Sequence, residues 1–439
     1  VRIVVLHAGG LGDLVLAESF FAALREGHPA ASVELVCRHD VAPVASLYAR
    51  PPDVVHTFGF NPYRWALPDD RAARNANGLL HKLPRVPVDL FVSAELRATW
   101  LSEILPAALV PREAVIADAR LPNASDLLTL LGKLGLQRHR GIRRPDAVDG
   151  EHELDRYARL AGNGAPRSPV LRSPGGERSR ELVVFPFAAS RINRWPLEEL
   201  GAAARRIGAA HQAPIALIGS AEDRDELEAA ATAGYFGDEP RITAGEPGDL
   251  PSVAAQIAAA AGYVGIETGL VHLAGAYGVP GVTVYGGGYW PVFGPWAART
   301  AGVAAPIPCF GCEWDCAFDR PFCLEGVDVA SVVAAFEAAF ADRSGRPLLR
   351  TLDAYDERER AIFGAAAAVH RAAQSDRAER LSAITRLRSV LARYAGRSRA
   401  RSRRTNALLA SLAETTAGAA RRLEEATPHD GRISRAEMP

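Results

Sequence analysis

Short apolar runs bounded by glycine or polar turns alternate along this chain with stretches of helical period. Arg2–Ala8 and Val33–Cys37 read as buried strands, with shorter ones at Val54–Thr57 and Val88–Val92. Between them Leu14–Glu26 sets Leu14, Phe20, Phe21 and Leu24 on one helical face, and Val41–Tyr48 and Arg97–Leu105 also read as helical. From Gly162 to Arg180 the composition turns to Gly, Pro, Ser and Arg with no apolar face to bury, which is linker chemistry. The alternation then resumes. Strands are expected at Leu182–Phe185, Pro214–Ile218, Tyr263–Ile266 and Val282–Tyr285. Helices are expected at Leu197–Ala210, Ala221–Ala231, Pro251–Ala261, Leu270–Tyr277 and Val329–Phe340. The pattern predicts an α/β protein of two Rossmann-like, doubly wound domains, over 1–165 and 182–344, joined by a linker at 166–181. Residues 345–427 read as an Arg-rich helical extension, in which Ile384, Leu387, Leu391 and Tyr394 make one coiled-coil-like face. Residues 428–439 read as a disordered tail.

The 439 residues leave room for two cores, and 48% apolar content fits a globular chain. The net charge of zero hides an imbalance. Gly345 to the end holds 19 Arg against 11 Asp plus Glu, so the rest carries the opposite excess. A basic extension of this kind suits an anionic lipid surface, a partner helix or self-association through its helices. Only Tyr394 interleaves with its arginines, which argues against nucleic acid. Lys82 and Lys133 are the only lysines, so phosphate chemistry falls to arginine. Arg2 leads straight into a strand, and no run of about 18 apolar residues exists. The expectation is a cytoplasmic protein with reduced thiols, peripheral at most to the inner membrane face.

Candidate chemistry gathers where strands turn into helices. Val264 to Gly288 runs strand, Glu267-Thr268-Gly269, small-residue helix, strand, glycine loop. Unpaired N–H groups at such a helix start attract anions, so Thr268, Gly269 and Leu270 read as a diphosphate cradle. His272 either donates to a phosphate or packs within the helix. Gly9-Gly10-Leu11-Gly12-Asp13 makes a similar turn after the first strand, and Asp13 alone reads equally as a helix cap. Phe185 to Pro196 contains Ser190, Arg191 and Arg194 just before Trp195-Pro196. After the next strand, Glu222 or Asp223 could meet ribose hydroxyls, and either could cap the following helix.

These turns resemble glycosyltransferase family 9, the heptosyltransferase family, over roughly the first three quarters of the chain. The resemblance implies the GT-B arrangement, with an acceptor-side N-terminal lobe and a donor-binding C-terminal lobe. It implies that Asp13, behind the Gly10-Leu11-Gly12 loop, is the catalytic base. It places Ser190 and Arg194 against donor phosphates, Glu222 on the ribose, and Glu267, Thr268, Gly269, Leu270 and His272 around the diphosphate and sugar. The family usually has Lys where Arg194 stands and Asp where Glu267 stands.

Cys309, Cys312, Cys316 and Cys323 are spaced C-x2-C-x3-C-x6-C. Four thiolates in that spacing fit a structural Zn or Fe site or, equally, a reduced and partly buried group. A similar cluster belongs to the autotransporter-modifying branch of the family, where it is an iron finger. Cys37 reads as core. The implied reaction is inverting transfer of a sugar, a heptose by resemblance, from a nucleoside diphosphate such as ADP-heptose to a lipopolysaccharide-core or protein acceptor. It needs no catalytic cofactor, because cationic side chains and amides neutralise the leaving group. The competing readings are a nucleotide-sugar epimerase on the same fold and a non-catalytic sugar-nucleotide-binding module.

Overall fold

The structure is a computed structural model that describes residues 1–63, 70–117, 124–146, 148–162, 165–175, 177–314, 316, 318 and 320–372. The N-terminal lobe runs β1 (Arg2–His7), α1 (Leu11–Gly27), β2 (Ser32–Arg38), α2 (Pro43–Ser46), β3 (Val54–Phe58) and α3 (Asp70–Leu80). It continues with β4 (Leu90–Ser93), α4 (Trp100–Leu109), β5 (Glu113–Ile116), α5 (Ala124–Lys133), β6 (Ile142–Arg143) and α6 (Glu153–Leu160). The C-terminal lobe opens with β7 (Leu182–Phe185), α7 (Leu197–His211), β8 (Ile215–Ser220), α8 (Arg224–Thr232), β9 (Arg241–Gly245), α9 (Leu250–Ala259) and β10 (Gly262–Ile266). Then come α10 (Gly269–Ala276), β11 (Gly281–Tyr285), β12 (Thr300–Ala304), α11 (Phe322–Glu325), α12 (Val329–Ala341), β13 (Leu348–Thr351) and α13 (Glu357–Ala372).

Both sheets are parallel, ordered β3-β2-β1-β4-β5-β6 and β13-β12-β11-β10-β7-β8-β9. Strand order therefore reverses between β1 and β4 in one lobe and between β7 and β10 in the other. Ligand crevices form outside the carboxyl ends of the strands at such reversals. The turns after β1, β7 and β10 are the ones that carry Asp13, Arg194 and Glu267.

Every residue of β1, β7 and β10 is buried, as parallel strands covered on both faces require. One apolar cluster crosses the lobe boundary without a break: Leu14 and Ala17 of α1 pack with Val271 and Ala274 of α10 and with Ile257 of α9. The lobes are closed on each other.

The described part of the C-terminal extension departs from expectation. Leu348–Thr351 is not helical but the edge strand β13, paired with β12. Tyr355, Ile362, Phe363 and Ala366 complete the donor-lobe core, so that lobe extends past 344. The coiled-coil-like face at Ile384–Tyr394 and the tail at 428–439 lie outside the described residues. Among the described residues, no helix is long and apolar enough to cross a membrane.

Candidate active site

The β1–α1 turn folds its own acid back on itself. Asp13 Oδ2 accepts from the Gly10 N–H at 2.8 Å, closing the first turn of α1. A Cβ on Gly9 would lie 2.7 Å from Asp13 Cβ and 2.8 Å from His7 Cε1, so this turn tolerates only glycine there. Asp13 thus does cap its helix. It does so in a desolvated place: burial, then the charge of Glu153, pushes its carboxyl up to about 6.

A buried network stands behind the turn. His7 Nδ1 accepts from the Gly9 N–H at 3.3 Å, which leaves the proton on Nε2 to donate to Tyr157 Oη at 2.7 Å. Burial holds His7 down at about 4, so the ring stays neutral. Tyr157 Oη in turn lies 3.5 Å from the Asp13 carbonyl. Glu153 and Arg156 form a buried pair on α6, and Arg156 also donates to the Ala94 and Glu95 carbonyls after β4. Burial would raise Glu153, but Arg156 outweighs it and keeps the carboxylate ionised. Glu95, enclosed with Ser93 and Thr99, is lifted by burial to about 7. None of these partners stands out in the sequence, since each is one polar residue on an otherwise ordinary helix or strand end.

The donor-lobe turn meets the first one head-on. Thr268 is the N-cap of α10 and makes no side-chain cap bond, so the N–H groups of the first turn are not taken up by it. A Cβ on Gly269 would sit 2.7 Å from Gly12 N, and one on Gly12 would sit 3.0 Å from Gly269 Cα. The reason Gly269 must be glycine is therefore lobe closure, rather than anion approach alone. Two helix N-termini converge at this point, each carrying about half a positive charge. Asp13 is the carboxylate at their junction.

Glu267 is buried there, with one carboxyl oxygen lacking a hydrogen-bond partner. Burial and then the nearby Asp13 raise it to about 8, so it is protonated at neutral pH and can donate. His272 is buried and held neutral at about 3 by desolvation. Trp296 Nε1 donates to His272 Nδ1 at 3.1 Å, and an indole can only donate. The His272 proton is thereby fixed on Nε2. The sequence reading left His272 open between phosphate donor and packed residue; it is packed, with its donor nitrogen still presented.

The β7–α7 loop is tied to this turn by Asn193, whose Nδ2 donates to the Glu267 carbonyl at 2.8 Å. Asn193 is buried and its Oδ1 has no partner. Ser190 closes the same loop through its carbonyl, which accepts from Asn193 N–H at 3.0 Å. Arg194 stacks over Phe187 at 4.5 Å and pairs with Glu226, which Arg191 also approaches at 3.3 Å. Arg194 Nε has no partner, so the guanidinium is held in place with donor capacity left. On the turn after β8, Asp223 caps Ser220 at 2.9 Å, while Glu222 is exposed. Asp223 is the cap of the two.

The cysteine loop lies against Gly286-Gly287-Gly288. Gly311 N–H donates to the Gly287 carbonyl at 2.5 Å and Glu313 N–H to the Gly288 carbonyl at 2.8 Å. Glu313 pairs with Arg97 of the other lobe. Cys309 and Cys323 are buried in the donor-lobe core, and burial pushes the Cys323 thiol well up. The thiols of Cys309, Cys316 and Cys312 lie close enough to Cys323 to add to that rise. Among the described residues, no three His, Cys, Asp or Glu side chains close into a metal-binding group. Cys37 is core, raised by burial to about 12.

Residues 151–315 match the profile of glycosyltransferase family 9 (heptosyltransferase). Over this segment the chain is similar to that family. It is a glycosyltransferase, and the matched segment contains Arg194 and Glu267 to His272, while Asp13 lies outside it. Three solved structures share the fold at a TM-score of 0.55. The E. coli heptosyltransferase WaaC with ADP is 17% identical, covering 77% of this chain and 100% of its own. A family 9 glycosyltransferase from Veillonella parvula is 14% identical, covering 77% and 97%. The E. coli ADP-heptose LPS heptosyltransferase II is 17% identical, covering 77% and 98%. No curated protein matches by sequence.

Proposed function

We propose that this family 9 glycosyltransferase moves a heptose, with inversion, from ADP-heptose to a hydroxyl of a lipopolysaccharide-core or protein acceptor on the cytoplasmic side. The observation that carries the reading is the meeting of two helix N-termini at Gly12 and Gly269, with Asp13 between them. Such a junction is electropositive except for one carboxylate, which suits a departing diphosphate beside a base.

Asp13, ionised above about pH 6, takes the acceptor hydroxyl proton as that oxygen bonds to the anomeric carbon. The bond from that carbon to the diphosphate oxygen breaks. The charge gathering on the diphosphate meets the N–H groups of Gly269 and Leu270, the Arg194 guanidinium and His272 Nε2–H. Glu267, carrying its proton, donates from its unpartnered oxygen to the donor sugar. Exposed Glu222 is assigned to the ribose.

A thermal-shift panel of ADP, UDP and GDP sugars tests the donor. Stabilisation by ADP-heptose is expected, and preference for a UDP or GDP sugar overturns the assignment. Retained donor binding with lost transfer in Asp13→Asn supports the base role; undiminished transfer removes it.

A further inference from the structure

The turns that lead into β4, β5 and β6 lie side by side, because those strands pair in parallel. They form the end of the N-terminal lobe remote from the cleft, which opens at the opposite ends of the same strands. A cavity of about 530 Å³ opens on this end, lined by Gln137, Arg138, His139, Arg140, Ile142 and Arg144. Its loop is braced: His139 Nε2 donates to the Pro111 carbonyl at 3.1 Å and Nδ1 accepts from the Gly141 N–H at 3.2 Å. Both ring nitrogens are committed, so the histidine positions the loop and is not the anion's partner.

The charge balance here is positive. Glu103, buried beneath the cavity, pairs with both Arg138 and Arg144. Arg140 has no ion-pair partner among the described residues. Arg112 on the neighbouring turn is 83% exposed and shares Asp89 at 3.2 Å, while Arg143 reaches Glu113 at 3.6 Å. Among the described residues, five arginines here outnumber the three carboxylates Glu103, Asp89 and Glu113.

Apolar tips stand within this basic field. Val110 follows α4 in the left-handed region at φ 46°, where a β-branched residue is strained and glycine is the usual occupant. Its N–H closes the helix on the Pro106 carbonyl at 3.0 Å, while its side chain is 71% exposed and packs little. Val86, on the turn into β4, is 56% exposed beside exposed Arg85. Exposed methyl groups ringed by arginine match the boundary of an anionic bilayer, where apolar tips enter and guanidinium groups take phosphates. The chain's own C-terminal portion, with its arginine excess, has the wrong sign to cover this face.

We propose that this end of the N-terminal lobe docks on an anionic phospholipid surface, Val110 and Val86 entering the interface and the arginine-lined cavity taking a phosphate headgroup. The inference is independent of donor and acceptor in the transfer reaction.

The test is cosedimentation of the full chain with vesicles of phosphatidylglycerol in phosphatidylcholine, against phosphatidylcholine alone. Binding to the first and not the second is expected, weakening as salt rises. Each basic side chain near such a surface is worth about fivefold in partition, so the charge reversal Arg140→Glu should cost about tenfold or more. Val110→Gly should cost a similar factor through lost burial, with an unchanged or higher Tm because the strained backbone relaxes. Three results overturn the proposal. One is no partition onto phosphatidylglycerol vesicles. Another is partition unchanged in both variants, which assigns binding to the arginine-rich C-terminal portion. The last is stabilisation by inorganic phosphate that needs Arg140 but not Val110, which makes the cavity a site for a soluble anion.

Discussion

Trp296 Nε1 donates to His272 Nδ1 at 3.1 Å, and that one bond decides which face of the imidazole carries a proton. A buried histidine without it would divide between two tautomers, only one of which can donate toward the cleft. Replacing Trp296 with Phe keeps most of the packing and removes the lock. Donor KM should rise about fivefold to tenfold, the worth of one hydrogen bond, with a smaller change in kcat. Steady-state kinetics with varied donor checks this, and an unchanged KM would detach His272 from donor binding.

Gly269→Ala tests the seam between the lobes. The added Cβ would fall 2.7 Å from Gly12 N and 2.9 Å from Leu11 Cβ, where backbone cannot yield cheaply. A loss of about 1–3 kcal/mol is expected, as for overpacking elsewhere, read as a lower Tm and weaker donor binding together. A variant as stable as the parent would mean that the lobes do not close this far.

The two cleft acids should shape the pH profile. Asp13 at about 6 must be ionised to act as base, so kcat/KM should rise as pH passes 6. Glu267 at about 8 must keep its proton to donate, so the rate should fall above 8. The expectation is a bell with limbs near those two values. Glu267→Gln retains a donor and should lose the alkaline limb alone.

Stability should move opposite to activity at Asp13. Its folded pKa of about 6 lies above the ordinary 3.8, so the native state prefers the protonated form. The resulting penalty is absent below pH 4, grows from 4 to 6, and is constant above. Asp13→Asn can still accept from Gly10 N–H. It should therefore match the parent at pH 4 and exceed it by about 1–2 kcal/mol at pH 8, after allowance for partial exposure. Transfer should fall by about 10²–10⁴ in the same variant. Denaturant melts at the two pH values and an activity assay check both halves.

Much of this could be read along the chain, because strand-to-helix turns announce themselves through glycine and small residues. The turns at Gly9–Asp13 and Glu267–Gly269 are of that kind, and both sit at the strand-order reversals. Other elements were silent for physical reasons. β12 is Thr-Ala-Gly-Val-Ala, fully buried yet with almost no bulky apolar residue to mark it. β9 and β13 are edge strands with no fully buried residue, so their apolar pattern is diluted. Tyr157 and His7 meet across 150 positions, and Asn193 reaches Glu267 across 74. No local spacing encodes such pairs. The cysteine spacing, conversely, did not reveal that Cys309 and Cys323 are drawn into the apolar core.

The contact between Gly12 and Gly269 pins the two halves together at one point of the seam. Loading and unloading of a sugar nucleotide there would call for a parting of the halves followed by re-closure. The glycine pair that lets the halves meet so tightly then also governs how quickly they separate, and the turnover ceiling becomes a matter of hinge frequency as much as of bond-making.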